Sequence, residues 1–233
     1  MIKIDNLTKK YNDQFAVKSL SLDIDEGNVL GFLGPNGAGK TTTMKMITGF
    51  ISPDTGDVKV DGLSVKDNSY AVRESIGYLP EGAPHYGEMM TKDFLEFIIK
   101  IRDIKNKDSL DFVVESLSLK NILNKRIEHL SKGFKRRVGL AQAIIHDPKY
   151  LILDEPTDGL DPNQKHDVRE LIKKISPNKT IIISTHILEE VDAICSKVSI
   201  ISEGNLVFYD TTQKFMSCDG NSNDEIFRKL TLG

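Results

Sequence analysis

One nonapeptide constrains this chain more than any other part of it. Gly34-Pro35-Asn36-Gly37-Ala38-Gly39-Lys40-Thr41-Thr42 satisfies G-x-x-x-x-G-K-[ST] without a gap. The apolar run Val29-Leu30-Gly31-Phe32-Leu33 before it predicts a buried strand, and residues 41–50 after it predict a helix. Three glycines between such elements let the backbone approach an anion closely and take positive φ angles. Consecutive N–H groups then point inward as an anion nest, and a helix starting near Gly39 adds the positive end of its dipole. Lys40 brings a full charge to the β/γ-phosphates of such a ligand, and the Thr41 hydroxyl can ligate Mg²⁺. The bland alternative, an ordinary glycine-rich turn, is disfavoured by the flanking strand and helix.

The chain has 233 residues, enough for one large α/β domain or a core with a subdomain. Net charge is −3, so the total charge does not suggest a polyanion-binding surface. The two cysteines show no metal-ligand spacing, which fits a reducing compartment. No stretch approaches the roughly 18 uncharged apolar residues of a membrane span. The N-terminal residues 1–5 do not read as a signal peptide.

Along the chain, residues 2–7 and 15–24 predict strands, with a turn at 25–28. Residues 51–56 break the chain after the first helix. Short strands are expected near 57–60 and 75–79, so the first 80 or so residues mix a core with an antiparallel sheet. Residues 85–145 change character: Phe94, Leu95, Phe97, Ile98 and Ile101 recur at helical spacing, as do Leu110, Val113, Val114 and Leu117. Apolar runs at 150–153 and 179–183 are of the kind found in central parallel strands. Helices near 163–175 and 187–194 separate the core strands in βαβ fashion. Strands follow at 198–202 and 206–209, and residues 211–233 are polar with two weak helical patterns.

The second strong signal is Leu151-Ile152-Leu153-Asp154-Glu155-Pro156, a buried strand ending in two carboxylates. Beside a phosphate loop, Asp154 would hold Mg²⁺ and Glu155 would orient or deprotonate an attacking water. Leu130-Ser131-Lys132-Gly133-Phe134 begins a helix that Ser131 can cap; it is a second candidate anion site or a plain cap. Lys135, Arg136 and Arg137 read as a solvated face. His186, after strand 179–185, can reach a γ-phosphate or cap a helix. Tyr11 can stack on a nucleobase or close a strand end.

Taken together, these segments resemble the ATP-binding subunit of an ABC transporter over about residues 1–210. Gly34–Thr42 resembles the Walker A loop, Leu151–Glu155 Walker B, and Leu130–Phe134 the LSGGQ signature. Thr157-Asp158-Gly159-Leu160-Asp161 resembles the D-loop, Ile76–Glu81 the Q-loop, His186 the switch histidine and Tyr11 the base-stacking residue. All occur in the family's order.

The resemblance implies an α/β P-loop NTPase (RecA-like) core from 1–84 and 146–210, including an antiparallel β subdomain. It implies a helical subdomain over 85–145 and a short tail over 211–233, which argues against an added regulatory domain. It implies ATP and Mg²⁺ as cofactors. Gly34, Pro35, Asn36, Gly37, Ala38, Gly39, Lys40, Thr41 and Thr42 would hold ATP, together with Tyr11 and Asp161. Ser131 and Gly133 would hold the ATP of a partner. Thr41, Glu81 and Asp154 would serve Mg²⁺, and Glu155, His186 and Lys40 the chemistry.

Two such subunits would pair head to tail on ATP. Integral membrane permease subunits would dock near Glu81–Met90, at the cytoplasmic face of the cell membrane, with no nucleic acid involved. Lys132, Phe134, Glu81 and Asp158 depart from the family's usual residues. The Lys132 and Leu-Pro-Glu forms are similar to bacterial subunits of ABC-2-type permeases, and the run from Ser131 to Ile144 to the gliding-motility-type branch. The competing reading is a soluble ABC-type ATPase acting on ribosomes or DNA. Such relatives usually carry two cassettes or a long coiled-coil insert, and neither is found here.

Overall fold

The computed structural model describes residues 1–82, 86–217 and 223–232. Two sheets organise the chain. The first is antiparallel, in the order β2-β1-β4-β5, from β1 (Ile2–Tyr11), β2 (Gln14–Ile24), β4 (Thr55–Val60) and β5 (Leu63–Ser64). The second is six-stranded, in the order β10-β9-β3-β8-β7-β6. It comprises β3 (Val29–Leu33), β6 (Ile76–Leu79), β7 (Tyr150–Asp154), β8 (Thr180–Thr185), β9 (Lys197–Ser202) and β10 (Asn205–Thr211). All its pairings are parallel except β10 on β9.

The continuous apolar runs of β3, β7 and β8 are explained by burial on both faces. Leu151, Leu153, Ile181 and Ile183 point into one cluster, while Tyr150, Ile152 and Ile182 point into another. The second cluster is filled from the antiparallel sheet by Ile2, Ile4, Leu20 and Val58, and by Met44 and Ile47 of α1 (Lys40–Ile47). The first is filled by α3 (Thr91–Ile101), α4 (Ser109–Ser116), α5 (Lys132–Ile144) and α6 (Pro162–Ile175), through residues such as Phe94, Val113, Val138 and Ile172. The helical insert therefore shares a core with the parallel sheet.

The strand expected near 75–79 forms at 76–79 as the edge of the parallel sheet, paired with β7. Two details differ from the sequence expectation. The short β5 and α2 (Ser69–Ser75) carry too few apolar residues to announce themselves, with only Val72 buried in α2. The polar end of the chain is packed: α8 (Thr212–Met216) and α9 (Asn223–Leu232) lay Phe215 and Ile226 against Val198 and Ile200 of β9, beside α7 (Leu188–Ile194). Among the described residues no helix is long and apolar enough to cross a membrane.

Candidate nucleotide site

A parallel sheet delivers the carboxyl ends of its strands to one edge, and there the predicted residues meet. β3 ends in the glycine loop, β7 in Asp154 and Glu155, β8 in Thr185 and His186, and β6 in Pro80 and Glu81. A cleft of about 410 Å³ at this edge is lined by Asn36, Gly37, Gly39, Lys40, Thr41, Thr42, Glu81, Glu155, Asp158, His186 and Ala16.

The glycines divide their work. Gly37 and Gly39 take positive φ, 81° and 105°. Gly34 does not, against the expectation for all three; it is needed for close approach, since a Cβ there would lie 2.4 Å from the Ile201 carbonyl. At Gly39 a Cβ would lie 2.2 Å from the Ala16 carbonyl, so the loop is pressed onto β2. No side chain caps α1 and its first turn holds no acidic residue, which leaves its leading N–H groups for an anion. Lys40 is buried, and its Nζ donates to the carbonyls of Gly34 (2.7 Å) and Pro35 (3.2 Å). Burial lowers its pKa, and Glu155, Asp154 and Glu81 oppose that shift.

Asp154 is fully buried. Its Oδ1 accepts from Ser184 Oγ, while Oδ2 has no hydrogen-bond partner. A buried carboxylate oxygen without a donor is costly unless a cation serves it, so this oxygen fits a hard metal ion. Glu155 sits in the left-handed region (φ 53°). Its N–H donates to Ser184 O and Ser184 Oγ, both at 3.1 Å. Its carboxylate meets His186 Nδ1 at 3.0 and 3.1 Å. Burial pushes the Glu155 carboxyl up from its ordinary value, and His186 pulls it back.

Several predicted residues stand outside the cleft lining. Tyr11 is half exposed at the end of β1, opposite Gln14. Ser131 caps α5, accepting from Phe134 N at 3.4 Å, and Asp161 caps α6, accepting from Gln164 N at 3.0 Å. Gly133 is buried, with Gln164 and the Gly159–Leu160 segment over it. Lys132 pairs with Asp158 at 2.7 Å, so two departures from the family pattern satisfy each other.

The solvated face expected for Lys135, Arg136 and Arg137 is wrong for both arginines, which are buried. Arg137 donates to Leu117 O (3.0 Å) and stacks on Phe134 (4.2 Å). Arg136 donates to Pro80 O (2.7 Å), Glu155 O (2.7 Å) and Asp154 O. Cations can be buried here because main-chain carbonyls of other elements receive them.

Sequence reading also missed Glu190. This buried carboxylate on α7 accepts from Thr157 Oγ1 and from Thr185 Oγ1 (2.7 Å), joining the segment after Glu155 to the one before His186. A glutamate in a short amphipathic segment carries no sequence signal of such a role.

A family model described as ABC transporter matches residues 17–158. The bacitracin transport ATP-binding protein BcrA of Bacillus licheniformis is 39% identical over 209 residues, covering 89% of this chain and 68% of that protein. A solved ATP-binding subunit of an ABC transporter is 26% identical with a TM-score of 0.89, covering 99% of both chains. The dimeric structure of MJ0796, a bacterial ABC transporter cassette, superposes with a TM-score of 0.82 at 24% identity, over 91% of this chain and 98% of that one. The glycine loop on β3, the paired carboxylates closing β7 and these likenesses agree: the chain belongs to the ABC transporter family, as an ATP-binding subunit of the ABC ATPase type.

Proposed function

We propose that this chain binds and hydrolyses ATP to drive a transporter, paired head to tail with a second ATP-binding subunit on membrane permease subunits. The observation that carries this reading is the convergence of Lys40, Glu155, His186 and Glu81 on one cleft, with the unpartnered Oδ2 of Asp154 buried next to Glu155 in the chain.

The glycine-loop N–H groups and Lys40 hold the β/γ-phosphates. Asp154, the Thr41 hydroxyl and Glu81 would hold Mg²⁺, which neutralises phosphate charge when bound. Glu155 orients the attacking water and takes its proton. His186, in contact with the Glu155 carboxylate, keeps that base aimed and can sense the γ-phosphate. Tyr11 stacks on the base. Ser131 and Gly133 act on the partner's ATP, and Asp161 lies in the segment facing that partner. The head-to-tail pair finds support in the fold shared with a cassette solved as a dimer.

Beside the nucleotide cleft lies a groove of about 380 Å³, lined among others by Phe50, Arg73, Tyr78, Pro80 and Arg102. Glu81 lines both. In this reading the groove is the seat for the permease, and the chain sits peripherally at the cytoplasmic face of the membrane. The docking stretch Glu81–Met90 lies partly outside the described residues.

The test is Glu155→Gln in the full chain. The amide keeps the shape but cannot accept the proton. Turnover should vanish while a fluorescent ATP analogue still binds, and ATP should shift the variant to a dimer in sedimentation. Undiminished steady-state hydrolysis would remove the assignment.

A further inference from the structure

Arg136 belongs to the helix that Ser131 caps, yet its guanidinium leaves the helical insert. It ends on three main-chain carbonyls: Pro80 (2.7 Å), Glu155 (2.7 Å) and Asp154. Pro80 and Glu155 follow the last paired residues of β6 and β7, and Asp154 is the last residue of β7, paired with Ser184. Glu155 has φ 53°, a conformation costly for any residue but glycine. Such a residue persists only where its surroundings over-determine it. Ser184 holds its N–H from β8, and its carbonyl accepts from Arg136 of α5 and from the Asp158 N–H. Pro80 precedes Glu81, which lines both the nucleotide cleft and the neighbouring groove. Burial lowers the pKa of the guanidinium, and the carboxylates of Asp154, Asp158, Glu155 and Glu81 oppose that shift.

We propose that Arg136 is a positioning residue for the hydrolytic step. It fixes the left-handed backbone of Glu155 from the helix that Ser131 caps, so that the placement of that helix and the aim of the Glu155 carboxylate change together. This rests on the ATPase reading above. Arg136 does not line the nucleotide cleft; it acts through the backbone of Glu155. Its planar fork serves carbonyls on two strands at once, which an ammonium does only in part.

The experiment compares Arg136→Met, which keeps the apolar stem, with Arg136→Lys, using the full chain. For Arg136→Met, kcat should fall roughly 10- to 100-fold, the scale of a misaimed catalytic group. The Kd for a fluorescent ATP analogue should stay within about twofold, because an interaction used only in the transition state leaves ground-state binding alone. Arg136→Lys should recover part of kcat.

An Arg136→Met kcat within about twofold of wild type overturns the proposal, as does a loss of ATP affinity in step with the loss of rate. If Arg136→Met does not fold, Arg136→Lys decides. A kcat reduced at least about threefold at unchanged Kd supports the role, and wild-type kcat overturns it. A wild-type chain with no ATPase overturns both this proposal and the reading beneath it. An active wild type, an inactive Glu155→Gln and an unaffected Arg136→Met overturn this one alone.

Discussion

Tyr11 presents a ring face that is half exposed at the tip of the β1–β2 hairpin, with Lys9 Nζ 5.9 Å from its centroid. It does not line the phosphate cleft. If it stacks on the base of a nucleotide whose phosphates occupy that cleft, Tyr11→Ala should weaken ATP by roughly 1–2 kcal/mol, the scale of one base–aromatic stack. GTP should suffer similarly, because stacking reads a π-face and not a hydrogen-bonding edge. Titration calorimetry with both nucleotides checks this; unchanged affinities would reduce Tyr11 to a strand-end residue. The Lys132–Asp158 pair is a different matter. Both partners are largely exposed, and such a pair contributes only about 0–1 kcal/mol to stability. Its interest lies in Asp158 lining the cleft.

Helix α5 is an element with two jobs. Its apolar side, Val138, Leu140, Ala141, Ala143 and Ile144, closes the core over the parallel sheet. Its arginines reach carbonyls at 80, 117, 154 and 155. Just past its end, His146 contacts the Ile76 carbonyl at the start of β6 (3.2 Å). Burial first, and Arg102 next, bring the His146 pKa down from 6.5 to about 4. The unfolded chain therefore takes up this proton at higher pH than the folded one. The contribution is fully present above about pH 6.5 and is lost as pH falls toward 4. After allowance for partial solvent exposure it amounts to about 1–3 kcal/mol. Urea midpoints at pH 7 and pH 4.5 should differ less for His146→Gln than for wild type. Equal differences would mean that the imidazole titrates normally in the folded state.

The molecule as a whole is two sheets and a helical insert sharing cores, with the end of the chain built in. β10 runs to Thr211, α8 begins at Thr212, and Thr212 Oγ1 donates to Cys195 O (2.7 Å). Phe215 is 1% exposed and packs edge-on against Phe208 at 5.6 Å. Phe215→Ala should therefore cost about 3–5 kcal/mol in chemical unfolding, as truncation of a core aromatic does. ATP affinity should hold in the folded fraction, because no residue lining the nucleotide cleft belongs to the cluster that Phe215 packs into. A loss under about 1 kcal/mol would mark α8 as a surface appendage.

The phosphate loop and the two central strands were legible in the sequence because each is a local demand. A chain that takes φ 81° and 105° beside a phosphate needs glycine there. A strand buried on both faces needs an unbroken apolar run, as in 151–153 and 181–183. The order of the motifs then sufficed for the family. Burial of Arg136 and Arg137 was not legible, because the run 135–137 is what a solvated helix face also looks like. Only the fold sets that face against main-chain carbonyls at strand ends, with Pro80 as far as 56 residues away along the chain. The tie from Glu190 to Thr157 and Thr185 and the packing of Phe215 are decided the same way. Each residue is polar or isolated in its own segment, and its partner is supplied by an element that sequence spacing does not bring near.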